Sequence, residues 1–265
     1  MKKIAILGAG NIGQAICRGL IRSGRMKPEH IMLTNTDLSL IEPWRENGCS
    51  VTDNNAEAAA FASVLIICVE PQQTDRLLEQ IRSSVVENKH VLISVVSGVP
   101  IDKIRQKLNC GVPVVRAMPN TAIAIGESIT ALASRDEDKK FLPLAVDIFS
   151  HVGETIILRE DLIRASTSLG SCGIAFFMRA IRAAVQGGIE IGLHAEDAKK
   201  IATQTAKGAA MLLISGGNHP EFEIDKVTTP LGVTISGLNQ MEHAGFSSAM
   251  IRGIVTAWEK TEHLY

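Results

Sequence analysis

The 265-residue chain is predicted to fold as a doubly wound α/β sheet followed by an all-helical half. Three observations predict this fold. Short, almost continuously apolar runs alternate with helical patterns over the first ~155 residues, as in a parallel sheet covered on both faces. From about residue 161 the strand-like runs stop and apolar residues recur at helical spacing. A glycine-rich stretch directly follows the first apolar run and opens a helical pattern.

The first half contains six predicted strands separated by helical patterns. The strands are predicted at 3–7, 30–34, 64–69, 90–95, 113–117 and 155–158, and the clearest helices at 12–23 and 74–83. Because nearly every strand residue is apolar, we expect these strands to be buried on both faces of a parallel sheet.

The second half is predicted to be helical. Its apolar residues follow helical spacing at 174, 177, 178, 181, 184 and 185, and again at 198, 201, 202, 209, 212 and 213, with Thr205 on the same spacing. They occupy more than one helix face, so we expect some of them to pack against another subunit. The domain boundary is placed at the change of period, giving domains at 1–158 and 159–265.

Composition excludes several classes of protein. A net charge of −1 and a pI near 6.7 argue against nucleic-acid and membrane-surface partners, and no apolar run reaches the ~18 residues that a membrane helix needs. The five cysteines form no C-x-x-C pair, which fits reduced thiols in a cytoplasm. The seven histidines lack metal-ligand spacing, so we expect no metal.

Residues 8–13 read "GAGNIG", a G-x-G-x-x-G match that follows an apolar run and opens a helix. In this context Gly8 permits the tight turn, Gly10 lets the backbone approach a pyrophosphate, and Gly13 allows close helix–strand packing. The first half is therefore predicted to be a Rossmann-type dinucleotide-binding domain. The intervening Ala9, Asn11 and Ile12 are included in the site.

The end of the second predicted strand bears on the choice of cofactor. Enzymes that use NAD commonly place an acidic residue there for the ribose hydroxyls. This chain has Thr34, Asn35 and Thr36, with Asp37 later. Neutral hydrogen-bonding groups tolerate a 2′-phosphate better than a carboxylate does, because like charges repel. NADP(H) is therefore the preferred cofactor and NAD(H) the alternative, although no arginine stands in this loop.

Residues 225–246 read as a polar turn that feeds straight into a helix. Pro230 and Gly232 indicate the turn, Thr234 is predicted as the helix N-cap, and Gly245 as the stop signal. The unpaired N–H groups at a helix start suit a small carboxylate.

This stretch resembles the C-terminal signature of the pyrroline-5-carboxylate reductase family, Asp-x-Val-(Thr/Ser)-Ser-Pro-Gly-Gly-(Thr/Ala)-Thr-Ile, then Leu, Glu and Gly-Phe. The matching residues are Asp225, Val227, Thr228, Pro230, Gly232, Thr234, Ile235, Leu238, Glu242, Gly245 and Phe246. Leu231 replaces the first of the two glycines. Because leucine is strained at positive φ, we expect the local turn to differ from the family's.

Two further segments resemble the family's cofactor side. Residues 68–72 read "CVEPQ", similar to Ala-Val-Lys-Pro-Gln with a glutamate in place of the lysine, and residues 115–128 read "VRAMPNTAIAIGES", similar to Arg-x-Met-Pro-Asn-Thr-Pro…Gly-Glu. The resemblance implies cofactor contacts from Val69, Glu70, Pro71, Met118, Pro119 and Asn120, with Asn55 and Ser97 at further matching positions.

A fourth segment, residues 169–181, reads "LGSCGIAFFMRAI" and resembles Ser-Gly-Ser-Gly-Pro-Ala-(Tyr/Phe). Its small residues allow a helix start or kink close to another backbone. Cys172 has no histidine near it in sequence, so we interpret it as a buried small hydrophobe rather than a nucleophile.

The family resemblance implies reduction of the cyclic imine 1-pyrroline-5-carboxylate to proline, the last step of proline synthesis. In that interpretation the Thr234 hydroxyl bonds the ring nitrogen, and the backbone of Gly232, Val233 and Thr234 holds the carboxylate. Lys226 and Thr229 lie nearby, and Glu160 matches a position at the substrate's edge. The family also implies a homodimer through the helical half, often assembled into larger rings.

Three alternatives stay open. A 3-hydroxyacid dehydrogenase is disfavoured because it would use a lysine on the first long helix, where residues 173–186 carry Arg179 and Arg182 and no lysine. A non-catalytic NADP-binding regulator is kept open by Glu70, Leu231 and Gly173-Ile174. A reductase of another cyclic imine remains because one methylene changes binding by only ~1–3 kcal/mol.

Overall fold

The computed structural model describes residues 2–263; Met1, Leu264 and Tyr265, at the limits of the two predicted domains, lie outside the described residues. The chain forms two compact units, one of residues 2–172 and 257–263, the other Gly173–Thr256. The predicted boundary at 158/159 follows the last strand, whereas the units divide at 172/173. The difference arises because the first turns after the sheet still pack on it: Ile163 is fully buried against Met118, Ala131 and Ala133.

The first unit is built on one eight-stranded sheet. The strands are β1 Ile4–Leu7, β2 Ile31–Thr34, β3 Ser50–Thr52, β4 Val64–Ile67, β5 Val91–Ser94, β6 Val114–Met118, β7 Ser128–Ser134 and β8 Gly153–Ile157. Their order is β3-β2-β1-β4-β5-β6-β7-β8. The first six run parallel, with β1 lying between β2 and β4, so the strand order reverses beside β1.

Helices surround the sheet and make up the second unit. They are α1 Asn11–Arg22, α2 Glu42–Glu46, α3 Asn55–Phe61, α4 Thr74–Ile81, α5 Ile101–Leu108, α6 Leu142–Phe149, α7 Ile163–Ser166, α8 Gly173–Glu190, α9 Ala195–Gly216, α10 Pro220–Lys226, α11 Val233–His243 and α12 Phe246–Lys260. A π-helical stretch, Thr167–Cys172, joins α7 to α8, where the sequence predicts a helix start or kink.

The core of the first unit lies on both faces of the sheet. Successive residues of β1 point to opposite faces, so Ile4 and Ile6 belong to one buried cluster while Ala5 and Leu7 belong to the other. Burial on both faces explains the continuous apolar runs in the sequence. The Rossmann-type prediction for this half is confirmed.

The sheet differs from the prediction at three strands. β3 and β7 were not predicted, and β7 pairs antiparallel with β6. β8 pairs parallel with β7, so it runs against the first six strands rather than with them. It is also an edge strand whose Ile156 and Ile157 are exposed, which contradicts the expected burial on both faces. The sheet is therefore mixed, with its antiparallel junction between β6 and β7.

The second unit is all helical, as predicted. α8 and α9 pack closely, since a Cβ added to Gly188 would lie 3.2 Å from the Ala198 Cβ. Within residues 173–256, Val185 and Ala198 are the only apolar side chains that are buried. Many large ones are exposed, including Ile191 (83%) and Ile214 (75%). This helical unit therefore leaves apolar faces uncovered in the single chain.

Three further features of the described chain concern membrane-spanning helices, metal-binding clusters and disulfides. By length and composition one helical stretch, Glu160–Glu190, could cross a membrane, which is weak evidence because a single such helix also occurs in soluble proteins. Within residues 2–263 no group of three or more His, Cys, Asp or Glu is placed to hold a metal ion. All five cysteines are free thiols.

Candidate functional site

The loop after β1 has the backbone that its three glycines predict. Gly8 has φ +84°, which favours glycine, and a side chain there would overlap Val69. A Cβ on Gly13 would lie 3.0 Å from Ile6 Cγ2, so α1 lies close against β1. A Cβ on Gly10 would meet no atom within 4 Å. The open space beside Gly10, at a helix start with no side-chain cap, fits a phosphate group.

This loop forms one wall of a cavity of about 260 Å³, here called the glycine-loop cavity. It lies at the carboxyl ends of β1, β2 and β4, where the strand order reverses and ligands bind in α/β sheets. Its lining residues are Gly8, Gly10, Thr34, Asn35, Thr36, Asp53, Asn55, Cys68, Val69, Glu70, Gln73, Arg76, Leu77 and Gln80.

A directed chain of hydrogen bonds ties the walls of this cavity together. The Gly8 N–H donates to Thr34 Oγ1 (3.0 Å), whose hydroxyl donates to Asn55 Oδ1 (2.6 Å). The Asn55 amide then donates to Gln80 Oε1 (2.7 Å). The chain links the glycine loop, the end of β2, the start of α3 and the end of α4. Thr34 is buried, so the loss of its hydroxyl would leave the Gly8 N–H without this partner.

The end of β2 presents neutral groups, as the sequence indicates. The Asn35 amide donates to Ala9 O (3.2 Å), and its Oδ1 accepts from the Asp37 N–H (2.9 Å). Asn35 therefore holds the glycine loop and the following loop in place, and the exposed Thr36 hydroxyl lies beside it. Cys68 also lines the cavity, and burial raises the pKa of its thiol, which keeps this wall neutral.

Six of the predicted cofactor residues line the cavity: Gly8, Gly10, Asn35, Asn55, Val69 and Glu70. Ala9, Asn11, Ile12 and Gly13 form the turn and the first turn of α1 beneath it. Pro71 begins the short 3₁₀ turn Pro71–Gln73 that follows Glu70. The residues present thus fit the pyrophosphate and ribose of a dinucleotide.

The other predicted cofactor residues lie at the ends of β5 and β6. The Asn120 amide donates to Gly170 O (3.1 Å), and its Oδ1 accepts from the Ala122 N–H (3.0 Å). The Ser171 hydroxyl donates to Pro119 O (2.7 Å). The two family-like segments at 115–128 and 169–181 therefore meet here. Asn120, which the resemblance places beside the nicotinamide, uses its side chain to hold this junction.

Two further residues at these strand ends have contrasting environments. Met118 is 5% exposed and belongs to the small core cluster that also contains Ile163. The Ser97 hydroxyl is buried and has no hydrogen-bond partner within the described chain. A buried hydroxyl without a partner at the carboxyl end of a strand is one of the features expected of a ligand site.

Glu160 lies away from the glycine-loop cavity, in a separate cavity of about 880 Å³. Its Oε1 accepts from the Ile101 N–H (2.7 Å) and lies 3.7 Å from Arg116 Nη1, while Oε2 lies 3.5 Å from Arg135 Nε. Burial lowers the pKa of Arg116, and the negative charge of Glu160 opposes this shift. The carboxylate that was assigned to the substrate's edge is thus committed to a mostly buried ion pair.

In the helical unit, residues 229–232 form a turn that leads into α11. The Gly232 N–H donates to Thr229 O (2.9 Å), with Pro230 and Leu231 as the central residues. Leu231 has φ +59°, so this leucine adopts the left-handed conformation in which a side chain is strained. Proline at the second position and positive φ at the third are typical of a type II turn, which favours glycine at the third position, so leucine is strained there.

The predicted N-cap is wrong by two residues. Gly232 is the N-cap, α11 begins at Val233, and Thr234 lies in the first turn. The turn ends at Gly232, whose extended backbone can start a helix immediately. A Cβ on Gly232 would lie 2.5 Å from Thr229 Oγ1, so only glycine fits there. No side chain caps the helix, which leaves its first N–H groups open to a ligand.

The remaining predicted substrate residues are Val233 and Thr234 in the first turn of α11 and Lys226 at the end of α10. Val233 is 90% exposed and Thr234 is partly exposed. Lys226 Nζ lies 2.8 Å from Glu223 Oε1; the glutamate side chain is mostly buried, whereas the lysine side chain is exposed and its ammonium accessible. Thr229, Gly232, Val233 and Thr234 are therefore brought together by the turn. Cys172 is partly buried, and burial raises the pKa of its thiol, as expected of a small hydrophobe.

Sequence reasoning did not assign Thr34, Asp53, Gln73, Arg76 or Gln80 to the site, although all five line the glycine-loop cavity. The signal for three of them is the spacing on α4. Its apolar residues Leu77, Leu78 and Ile81 face the core, so the polar residues at 73, 76 and 80 share the adjacent face.

Comparisons with known proteins agree with these features. The family model for pyrroline-5-carboxylate reductase dimerisation matches residues 160–264, and the model for NADP oxidoreductase coenzyme F420-dependent matches residues 3–98. The chain is 54% identical to pyrroline-5-carboxylate reductase 1 of Dictyostelium discoideum over 99% of its length, but spans only 50% of that relative. It is 47% identical to pyrroline-5-carboxylate reductase 2 of the same organism, covering 98% of this chain and 92% of the relative.

A solved structure gives the same fold. The NADP-bound pyrroline carboxylate reductase of Plasmodium falciparum superposes with a TM-score of 0.88 at 23% identity, covering 99% of this chain and 98% of that one. The relative that is 47% identical and matched over 92% of its length, together with the dimerisation model, shows that the chain belongs to the pyrroline-5-carboxylate reductase family.

Proposed function

We propose that this chain is a reductase that transfers hydride from NADP(H) to the cyclic imine 1-pyrroline-5-carboxylate and forms L-proline, the last step of proline biosynthesis. The observation that carries the proposal is family membership over nearly the whole of a relative 47% identical to this chain. The glycine-loop cavity supports the cofactor, and the open helix start of α11 supports an acidic substrate.

The first step is binding of the dinucleotide to the first unit. The open space beside Gly10 and the free N–H groups at the start of α1 would hold its pyrophosphate. Thr34, Asn35 and Thr36 would face the ribose without a negative charge. The bound cofactor supplies the hydride. NAD(H) as a second, weaker cofactor belongs to the same proposal, because the end of β2 also carries no charge that would reject it.

The substrate residues act by positioning. The N–H groups of Val233 and Thr234 would bind the substrate carboxylate, aided by the dipole of α11 and by the Lys226 ammonium nearby. The Thr234 hydroxyl would hydrogen-bond the ring nitrogen. A cyclic imine can take its proton from water before hydride arrives, so no strongly shifted acid is required. The proposed reaction therefore does not require a histidine or lysine that donates a proton to the ring nitrogen.

The proposal includes the oligomeric state and the cellular location of the protein. The dimerisation model and the exposed apolar faces of α8 and α9 support a homodimer through the helical unit, with larger rings as its extension. Five free thiols support a reducing, cytoplasmic setting. Small-molecule substrates are the expected partners, with neither nucleic acid nor membrane.

The test is the initial rate of the purified protein with pyrroline-5-carboxylate, measured with NADPH and NADH in parallel, with proline identified as the product. We expect turnover with NADPH. A Gly10→Ala variant should lose cofactor binding, because the added methyl enters open space in the cavity, whereas Gly187→Ala, equally unhindered, should not. Tight cofactor binding without turnover would refute the reductase and favour a regulator or another imine.

A further inference from the structure

The glycine-loop cavity contains an uneven set of charges. Its ionisable lining residues besides Cys68 are Asp53, Glu70 and Arg76. Without the arginine, the only full charges around the cavity would be two carboxylates. Those would repel any ligand that carries phosphates, at distances where water screens them only partly. Arg76 therefore decides whether this cavity can accept a further anionic group.

Arg76 is presented to the cavity by a helix whose position is fixed. The α4 residues Thr74, Leu77, Leu78 and Ile81 are buried, which anchors one face of the helix. On the adjacent face, Gln80 accepts the hydrogen bond from Asn55 at the end of the chain that starts at Gly8. Arg76 lies one helical turn before Gln80, so its side chain starts from the same wall as the anchored amide.

The Arg76 guanidinium has no partner among the side chains and backbone groups of residues 2–263. No ion pair or hydrogen bond to another described residue engages Arg76, and its side chain is exposed at the cavity. Arg82, one and a half turns further along, lies 3.9 Å from Glu79 and does not line the cavity. The two arginines differ in whether a protein carboxylate is their neighbour.

We propose that Arg76 binds the 2′-phosphate of NADP(H) and sets the preference for NADP(H) over NAD(H). The inference rests on the proposed function. In doubly wound folds the 2′ position of the ribose lies at the end of β2, and an arginine nearby accommodates the 2′-phosphate. Here the loop after β2 contains no arginine, and α4, which lines the same cavity, supplies one. The planar guanidinium of arginine can donate hydrogen bonds to two phosphate oxygens at once, so arginine binds phosphate with more specific geometry than lysine does.

The experiment compares dissociation constants rather than rates. NADPH and NADH are titrated into the wild-type dimer, Arg76→Gln, Arg76→Lys and the control Arg82→Gln, with binding followed by calorimetry. We expect Arg76→Gln to weaken NADPH binding roughly tenfold or more while NADH binding changes by less than about twofold. Arg76→Lys should fall between, because it keeps the charge and loses the fork. Arg82→Gln should bind both cofactors as the wild type does.

The dependence of cofactor affinity on salt concentration provides a second test, because a change in packing alone would not alter it. Because an exposed ion contact is screened, the salt dependence of NADPH binding should become shallower in Arg76→Gln, while that of NADH should not change. Equal weakening of both cofactors would indicate stacking on the adenine and overturn the proposal, as would no change in either. If the wild type bound neither cofactor, the proposed function would fail first, before any arginine is considered.

Discussion

At the scale of single residues, Thr234 is the side chain on which the proposed chemistry depends most. Its hydroxyl makes no cap hydrogen bond, because Gly232 is the N-cap of α11. Thr234→Ala should therefore change the unfolding free energy by less than about 0.5 kcal/mol. Loss of a hydrogen bond to the reacting ring should lower kcat roughly tenfold to hundredfold.

Steady-state kinetics and cofactor titration together test this role. Thr234→Ser keeps the hydroxyl and should retain most of the turnover, and NADPH affinity should be unchanged in both variants. An alanine variant with the wild-type rate would remove Thr234 from the site.

Leu231 offers a test of backbone strain. A non-glycine residue in the left-handed region costs about 1–2 kcal/mol, and the Leu231 side chain is fully exposed, so it gains nothing from burial in the single chain. Leu231→Gly relieves that cost but adds entropy to the unfolded chain, which leaves a net gain of roughly 0.5–1 kcal/mol. Urea unfolding measures it. Leu231→Ala keeps the strain and is the control; if it stabilised equally, the side chain and not φ would be responsible.

Substitution of Glu160 distinguishes a role in stabilising the fold from a role in binding the substrate. Glu160→Gln keeps an acceptor for the Ile101 N–H but leaves Arg116, 5% exposed at its side chain, without its counter-charge. We expect a loss of roughly 2–4 kcal/mol in unfolding free energy with an unchanged KM for the imine in the folded protein. Adding Arg116→Met should restore part of the stability. A raised KM with normal stability would return Glu160 to the substrate site.

The conformation of Leu231 and the role of Glu160 could not be predicted from residue identity alone. The motif around Leu231 is visible in the sequence, but only the backbone shows that Leu231 adopts positive φ. Glu160 matched a family position, yet its partners Arg116 and Arg135 come from β6 and the end of β7, which are distant in sequence. Long-range ion pairs of this kind leave no local signal.

At the scale of elements, the hydrogen-bond chain from Gly8 to Gln80 is the device that shapes the cavity. Thr34→Val is nearly isosteric and removes both the acceptor for Gly8 and the donor to Asn55 at a buried position. We expect a loss of roughly 1–3 kcal/mol in unfolding free energy and weaker binding of NADPH and NADH alike. Thr52→Val, which removes an exposed donor to Glu57 and an exposed acceptor for the Asn54 N–H, is the matched control. Unchanged cofactor affinity in Thr34→Val would show that the chain supports the fold and not the cavity.

Strands with continuous apolar runs could be predicted from the sequence to within about two residues, because burial on both faces leaves a strong pattern. β3 and β7 could not. β3 has three residues, with only Val51 buried between Ser50 and Thr52, so it has too little pattern to detect. In β7 small and polar residues interrupt the apolar run, and its pairing with β6 depends on the antiparallel return after Gly126.

At the scale of the whole molecule, the two units differ in how much apolar surface they cover. The first buries a core on both faces of its sheet, whereas the helical unit buries two apolar side chains in residues 173–256. A helical unit with so little core is not stable alone, because burial of apolar surface is the main term that offsets conformational entropy. The change of hydrophobic period along the sequence predicts this division, and the need for a partner follows from the uncovered faces.

Charging those faces should separate the subunits. Phe177 on α8 and Ile214 on α9 are 60% and 75% exposed in the single chain, and a lysine at either position would have to be desolvated in an interface built from these helices. Sedimentation velocity should show the wild type at about twice the chain mass of 28.5 kDa, or at a multiple of that dimer mass, and Phe177→Lys or Ile214→Lys shifted toward the monomer with lower thermal stability. Leu40→Lys changes a leucine on the first unit that is 53% exposed and should leave the dimer intact. A monomeric wild type, or lysine variants that stay dimeric, would place the subunit contact elsewhere. Loss of the dimer should also lower turnover, because the turn at residues 229–232 lies in the same helical unit as these faces and depends on that unit remaining folded.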